Sequence, residues 1–130
     1  TLVPKDELLA RADFATIHLV LSERTRALIG ARELTLMRPD TYLVNTSRGP
    51  IVEESALIAA LREHRIAGAA LDVFDREPLP HDHPLLTLHN VVLTPHLGYV
   101  TAETYAIFYG DAVEDIRAWA AGSPLRVIEG

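Results

Sequence analysis

The chain has 130 residues, room for one domain with a substantial core. Its net charge of −6, with basic residues scattered rather than clustered, argues against nucleic acid and anionic membrane as partners. The absence of cysteine excludes disulfides and thiolate metal sites, and no apolar run approaches the ~18–20 residues of a membrane span. The chain opens on Thr1 with neither an initiator methionine nor a signal-peptide pattern, so further sequence upstream is expected.

In chain order, Val3–Ala10 reads as a short helix, with Pro4 in its first turn and two acids where the helix dipole favours them. Phe14–Leu21 reads as a first strand, rich in β-branched and apolar residues. Arg26–Met37 reads as a helical turn, a break at Gly30 and a further helix that Arg38-Pro39 stops. Thr41–Asn45 is a second strand, bounded by Pro39-Asp40 and Gly49-Pro50. Glu53–Arg65 is an amphipathic helix with Leu57, Ile58 and Leu61 on its apolar face. Gly68–Phe74 is a third strand, whose small residues suit close packing of a helix.

Asp75–Asn90 is a long loop carrying Pro78, Pro80 and Pro84, and loops of that length are commonly functional. Val91–Leu93 is a fourth strand, followed by Thr94-Pro95-His96-Leu97-Gly98. Thr101 then caps a long helix to Ala121, with Tyr105, Phe108, Tyr109, Val113, Ile116 and Trp119 at helical spacing as core or interface. Gly122 and Pro124 end it. Strands alternating with helices predict an α/β domain with parallel strands and right-handed crossovers.

Open α/β sheets bind ligands beyond the carboxyl ends of their strands. Strands ending at Leu19, Asn45, Asp72 and Leu93 deliver Arg48, Asp72, Glu77 and His96 to that rim. Taken singly, Arg48 reads as a surface ion-pair partner, Glu77 as an acid in a charged loop and His96 as a turn residue. Together they complement one another. A guanidinium fork matches a carboxylate, an imidazole moves protons near neutral pH, and a neighbouring carboxylate orients that imidazole. The set suits proton transfer to a small anionic substrate. His81-Asp82-His83 lacks further ligands for a metal site, so no metal is expected. His18 and His89 read as structural, and His64 as a helix terminus. No two of the seven glycines have G-x-G spacing, so no glycine-rich phosphate loop is present.

Three ordered motifs resemble the D-isomer-specific 2-hydroxyacid dehydrogenases, a family that includes D-3-phosphoglycerate dehydrogenase and glyoxylate/hydroxypyruvate reductases. They are Val44-Asn45-Thr46-Ser47-Arg48-Gly49, Gly68–Phe74 with Glu77-Pro78, and Leu93–Gly98; the likeness runs from Val3 to Val127. It implies that Arg48 holds the substrate carboxylate and keto oxygen, that His96 is the acid/base, and that Glu77 is its paired carboxylate. It also implies that Asp72, His96 and the Thr46 backbone surround the nicotinamide, that Leu19 contacts the adenosine half, and that Gly98 lies in the turn beside the nicotinamide. Glutamate at position 77 favours hydroxyacid enzymes over the similar formate dehydrogenases, which pair the histidine with glutamine. The resemblance departs at Val20 and Glu23, where proline is common. It departs also at Tyr99, which stands where a small residue is frequent and would put a ring at the substrate cleft or a partner domain.

Such a family member binds pyrophosphate on an earlier strand and G-x-G-x-x-G turn, and ribose through an acid beyond it. Residues 1–100 would then be the second half of a partial Rossmann-type NAD(P)-binding domain, and residues 101–130 a helix and tail returning towards a substrate domain. The expected protein is a cytoplasmic, dimeric oxidoreductase using NAD, with NADP not excluded, on a small 2-keto or 2-hydroxy acid. This piece alone is expected to be inactive, with one sheet edge and some apolar surface uncovered. A dinucleotide-binding regulatory protein of the same fold is the alternative.

Overall fold

The structure is a computed structural model that describes residues 1–128, and the chain divides after Leu97 into two compact units. The first holds α1 (Lys5–Arg11), β1 (Phe14–Ile17), α2 (Ala31–Leu36), β2 (Tyr42–Asn45), α3 (Glu54–Arg62), β3 (Gly68–Leu71) and β4 (Val91–Leu93), with 3-10 turns at Gly49–Ile51 and Pro84–Thr87. Its four strands are all parallel and lie in the order β1-β2-β3-β4. Ile17, Asn45, Leu71 and Leu93 fall in one row across the register. The residues that follow each of them therefore share one rim.

Right-handed crossovers that always step in the same direction place their helices on one face of the sheet. The burial pattern follows. Ala15, Ile17, Leu43, Ala69 and Leu71 are buried in one core with Leu9 of α1, Leu34 of α2, and Leu57 and Leu61 of α3. Each large aliphatic side chain so covered contributes about 1.5–3 kcal/mol. On the strand positions between them, Phe14 and Tyr42 stack at 5.5 Å and Val92 is exposed, so this face of the sheet is open. The small residues of β3 serve the sheet itself: a Cβ on Gly68 would lie 2.5 Å from the Asn90 carbonyl oxygen and 3.1 Å from the Tyr42 ring.

Several elements are shorter than the sequence predicts. β1 stops at Ile17 rather than Leu21, because the Ser47 hydroxyl donates to the Ile17 carbonyl (2.7 Å) and accepts from the Leu19 amide (3.2 Å). Side-chain bonds thus replace the ladder, and Leu19 lies beyond the strand. β3 stops at Leu71 rather than Phe74, since Val73 and Phe74 leave the ladder buried against the turn at Gly49. α3 ends at Arg62, and His64 then adopts a positive φ of 51°. Pro4 caps α1 from outside the helix.

Glu33 ties α1 to α2. It is buried, and its carboxylate accepts from Lys5 Nζ at 2.8 Å, Arg32 Nε at 3.0 Å and the Gly30 amide at 3.2 Å. The bond from Lys5, opposed by burial and helped by the amides and Arg32, holds its carboxyl down at about 2.

The second unit is dominated by α4 (Ala102–Ala120). Thr101 Oγ1 accepts from the Thr104 amide at 3.1 Å. At the other end, Gly122 (φ 76°) donates to Trp119 and Ser123 to Ala118, a Schellman closure. Arg126 bonds Asp111, Glu114 and Asp115, folding the tail back on the helix. No residue of α4 is buried, so its aromatic stripe is not core. Tyr105 stacks on Tyr109 at 5.4 Å, and Tyr99 on Phe108 at 6.4 Å.

Candidate active site

The rim after β2 is shaped by a side chain. Asn45, fully buried at the strand end, accepts from the Ser47 amide at 3.1 Å and donates to the Arg48 carbonyl at 3.0 Å. This closes the backbone around Thr46 and Ser47 into a tight turn and leaves Thr46 and Arg48 exposed at the rim. The Arg48 guanidinium donates to its neighbour Ser47's carbonyl at 2.6 Å. Arg48 lines a cleft of about 410 Å³ with His18, Leu19, Val20 and Ser47.

Gly49 brings this turn against the chain beyond β3. A Cβ there would sit 2.1 Å from the Phe74 carbonyl carbon and 2.3 Å from its oxygen. Only a residue without a side chain permits that approach. Past the contact, the Phe74 amide donates to Glu77 Oε1 at 2.9 Å, and the Glu77–Pro78 peptide is cis. The other Glu77 oxygen meets His96 Nδ1 at 2.7 Å. Partial burial pushes the Glu77 carboxyl up. The His96 and Phe74 bonds, with the charges of His96 and Arg48, outweigh it and hold the group below the ordinary glutamate range.

His96 is held in the left-handed region at φ 59°, a conformation that costs a non-glycine residue about 1 kcal/mol or more and persists only where neighbours fix it. Asp72 supplies that fixing. Buried at the end of β3, its Oδ1 accepts from Thr94 Oγ1 at 2.5 Å and from the Leu97 amide at 2.8 Å, gripping the turn on both sides of His96. Beside the pair lies an apolar cleft of about 420 Å³, lined by Leu79, Leu86, Leu93 and Pro95 together with Glu77 and His96.

Of the residues expected from sequence, Glu77 and His96 are in direct contact and Asp72 grips the His96 turn. Arg48 stands on the adjoining turn, its charge felt at Glu77. Leu19 and Thr46 lie at neighbouring strand ends, and Gly98 opens the second unit. Sequence reasoning missed the roles of Asn45, Ser47, Gly49 and Thr94. An Asn two residues before a Ser at a strand end is a turn signature, and a glycine directly after a candidate arginine signals close backbone approach. His83, weighed as half of a metal pair, meets Glu54 at 3.0 Å instead. No group of three or more His, Asp or Glu among the described residues is placed to hold a metal.

Parallel strands in sequential order with helices on one face, and a histidine–carboxylate pair at the carboxyl rim, define an α/β fold of the Rossmann-like, dinucleotide-binding kind. The chain belongs to the D-isomer specific 2-hydroxyacid dehydrogenase family: the sequence model of that family's NAD-binding domain matches residues 1–98. It is 50% identical over 117 residues to glyoxylate/hydroxypyruvate reductase B of Enterobacter agglomerans, covering 90% of this chain and 36% of that protein. Its fold matches the NAD-complexed D-isomer specific 2-hydroxyacid dehydrogenase of Lactobacillus delbrueckii ssp. bulgaricus at TM-score 0.80, with 32% identity over 99% of this chain and 43% of that one. A dehydrogenase of the same description from Xanthobacter autotrophicus Py2, in complex with NADPH and MES, gives TM-score 0.72 and 40% identity, covering 95% and 51%. The chain thus spans about a third of the length of the curated relatives it matches.

The residues present offer the hydrogen-bonding chemistry that a polar cofactor head needs. Consecutive strand ends carry the exposed Thr46 turn and the buried Asp72 carboxylate beside the His96–Glu77 pair. A pyrophosphate cradle of glycines is not among them.

Proposed function

We propose that the protein is an NAD(P)-dependent D-2-hydroxyacid dehydrogenase acting on a small 2-keto or 2-hydroxy acid. The observation that carries this is the 2.7 Å contact between His96 Nδ1 and a Glu77 carboxylate that the Phe74 amide fixes from behind. With Nδ1 engaged by Glu77, Nε2 is the atom that passes a proton to the substrate keto oxygen, and the Glu77 charge stabilises the imidazolium that precedes transfer. Arg48 binds the substrate carboxylate through its fork. Thr46 and Asp72 would hold the carboxamide of the nicotinamide, Leu19 would contact the adenosine half, and Gly98 would lie in the turn beside the nicotinamide. The nicotinamide, when bound, supplies the hydride for the carbonyl carbon. NAD is the proposed cofactor, with NADP equally compatible with this chain's residues. The intact enzyme is proposed to be a dimer.

In the native-length protein, His96→Ala lowers kcat by about a hundredfold or more, the usual size of acid–base catalysis. Turnover is followed with glyoxylate or hydroxypyruvate and NADH or NADPH. Unchanged turnover in that variant would sink the assignment.

A further inference from the structure

A histidine in the loop between β3 and β4 pairs with a carboxylate on α3, a second histidine–carboxylate pair that the proposed chemistry does not use. His83 Nε2 meets Glu54 Oε1 at 3.0 Å, and His83 Nδ1 accepts from the Leu85 amide at 3.3 Å. An imidazole that accepts at Nδ1 carries its proton on Nε2 and donates it there, so one neutral ring makes both bonds. Glu54 is the first residue of α3, a helix seated on the core through Leu57 and Leu61. The Leu85 amide belongs to the 3-10 turn Pro84–Thr87, whose Leu85 side chain is fully buried. His83 therefore joins a fixed helix to a short turn in the middle of a long loop.

That turn also places Leu86. Leu86 is half exposed, and it lines the cleft beside Glu77 and His96 with Leu79 from the same loop. Leu79 lies four residues before His83 in the same loop. We infer that His83 is a positioning residue for the active site: its tether to Glu54 and its cap on the Pro84–Thr87 turn hold Leu79 and Leu86 as the apolar wall that faces a substrate at His96. This rests on the functional reading above. It assigns the wall to whatever lies beyond the keto-acid head of the substrate, and so to substrate affinity more than to proton transfer.

The test uses the native-length protein with His83→Ala, Glu54→Ala and Glu54→Gln. Loss of the tether in His83→Ala raises KM for the 2-keto acid about tenfold, the scale of one net hydrogen bond, while kcat stays within about threefold. Glu54→Ala reproduces that change. Glu54→Gln, whose amide oxygen still accepts from Nε2, keeps KM near wild type. Amide hydrogen exchange supplies a readout independent of turnover: in His83→Ala, protection falls at Leu85, Leu86 and Leu88 and persists at Leu57–Leu61 of α3. An unchanged KM in His83→Ala overturns the positioning role, as does equal loss of protection in α3, which would make His83 a general stability residue. If wild-type protein reduces no 2-keto acid with either cofactor, the functional proposal fails separately. The exchange experiment then decides alone: protection lost only in the turn supports the tether, and unaltered protection overturns it.

Discussion

Replacing Gly49 with alanine is the sharpest perturbation the structure offers, because it adds a single methyl between two backbones that carry opposite sides of the site. The new Cβ would lie 2.1 Å from the Phe74 carbonyl carbon, 2.3 Å from its oxygen and 2.5 Å from the Asp75 nitrogen. Ordinary contact begins at 3.4 Å, and neither neighbour is a side chain that can rotate away. The two segments must therefore part by about 1 Å, and forced overpacking of this kind costs about 1–3 kcal/mol. Arg48 directly precedes Gly49, while the Phe74 amide anchors Glu77, so the displacement reaches both. A shift of about 1 Å in catalytic geometry is worth about a hundredfold in kcat/KM. Urea denaturation and steady-state kinetics on the native-length variant measure the two effects. Gly49→Ala with a wild-type midpoint and wild-type kcat/KM would show that the turns do not approach as described.

The glycine at position 110 makes the opposite case. It sits inside α4, where an added methyl would meet nothing within 4 Å, so Gly110→Ala raises stability by about 0.5–1 kcal/mol through helix propensity; a lower thermal midpoint would contradict this. Glu33 binds its proton more weakly folded than unfolded, so its contribution is complete above the unfolded glutamate value near ~4.3 and disappears as pH falls through about 2. Discounted for the partly exposed Lys5 and Arg32, Glu33→Gln costs about 2 kcal/mol at pH 7 and little at pH 2. Urea midpoints of wild type and variant that run parallel across that range would refute it. The 130-residue chain alone, titrated calorimetrically with NADH, shows no micromolar binding, because the glycine cradle for pyrophosphate is not part of it. Micromolar affinity would overturn that expectation.

Much of the fold was legible because parallel strands write themselves as short apolar runs between turn residues. All four strands start within a residue of where their runs begin. Their ends were harder to read. Leu19–Leu21 and Val73-Phe74 are apolar although the ladder has already stopped, because the bonds that stop it come from Ser47 and from the approach at Gly49, residues distant in sequence. The same limit applied to the site. Arg48, Glu77 and His96 were singled out because their side-chain types complement one another chemically. Asn45, Gly49 and Thr94 act by holding backbone in place, and nothing in their own chemistry announces that. The aromatic stripe of α4 shows a related limit: helical spacing reports an apolar face but not what covers it, and of the two readings, core or interface, the exposure of that face removes the core.

The sheet order has a consequence for how the pair of catalytic type comes into being. Each strand lies beside the one made just before it, so a chain emerging from the ribosome can add strands one at a time to a single growing border. Contacts that are near in sequence close quickly. Glu77 arrives after the third strand and His96 only after the fourth. Until Val91–Leu93 docks, the chain can possess most of its core and still lack the histidine half of its chemistry. On the proposed function, the histidine–carboxylate pair is therefore complete only once the fourth strand is in place, and a chain stopped before it would hold Glu77 without His96.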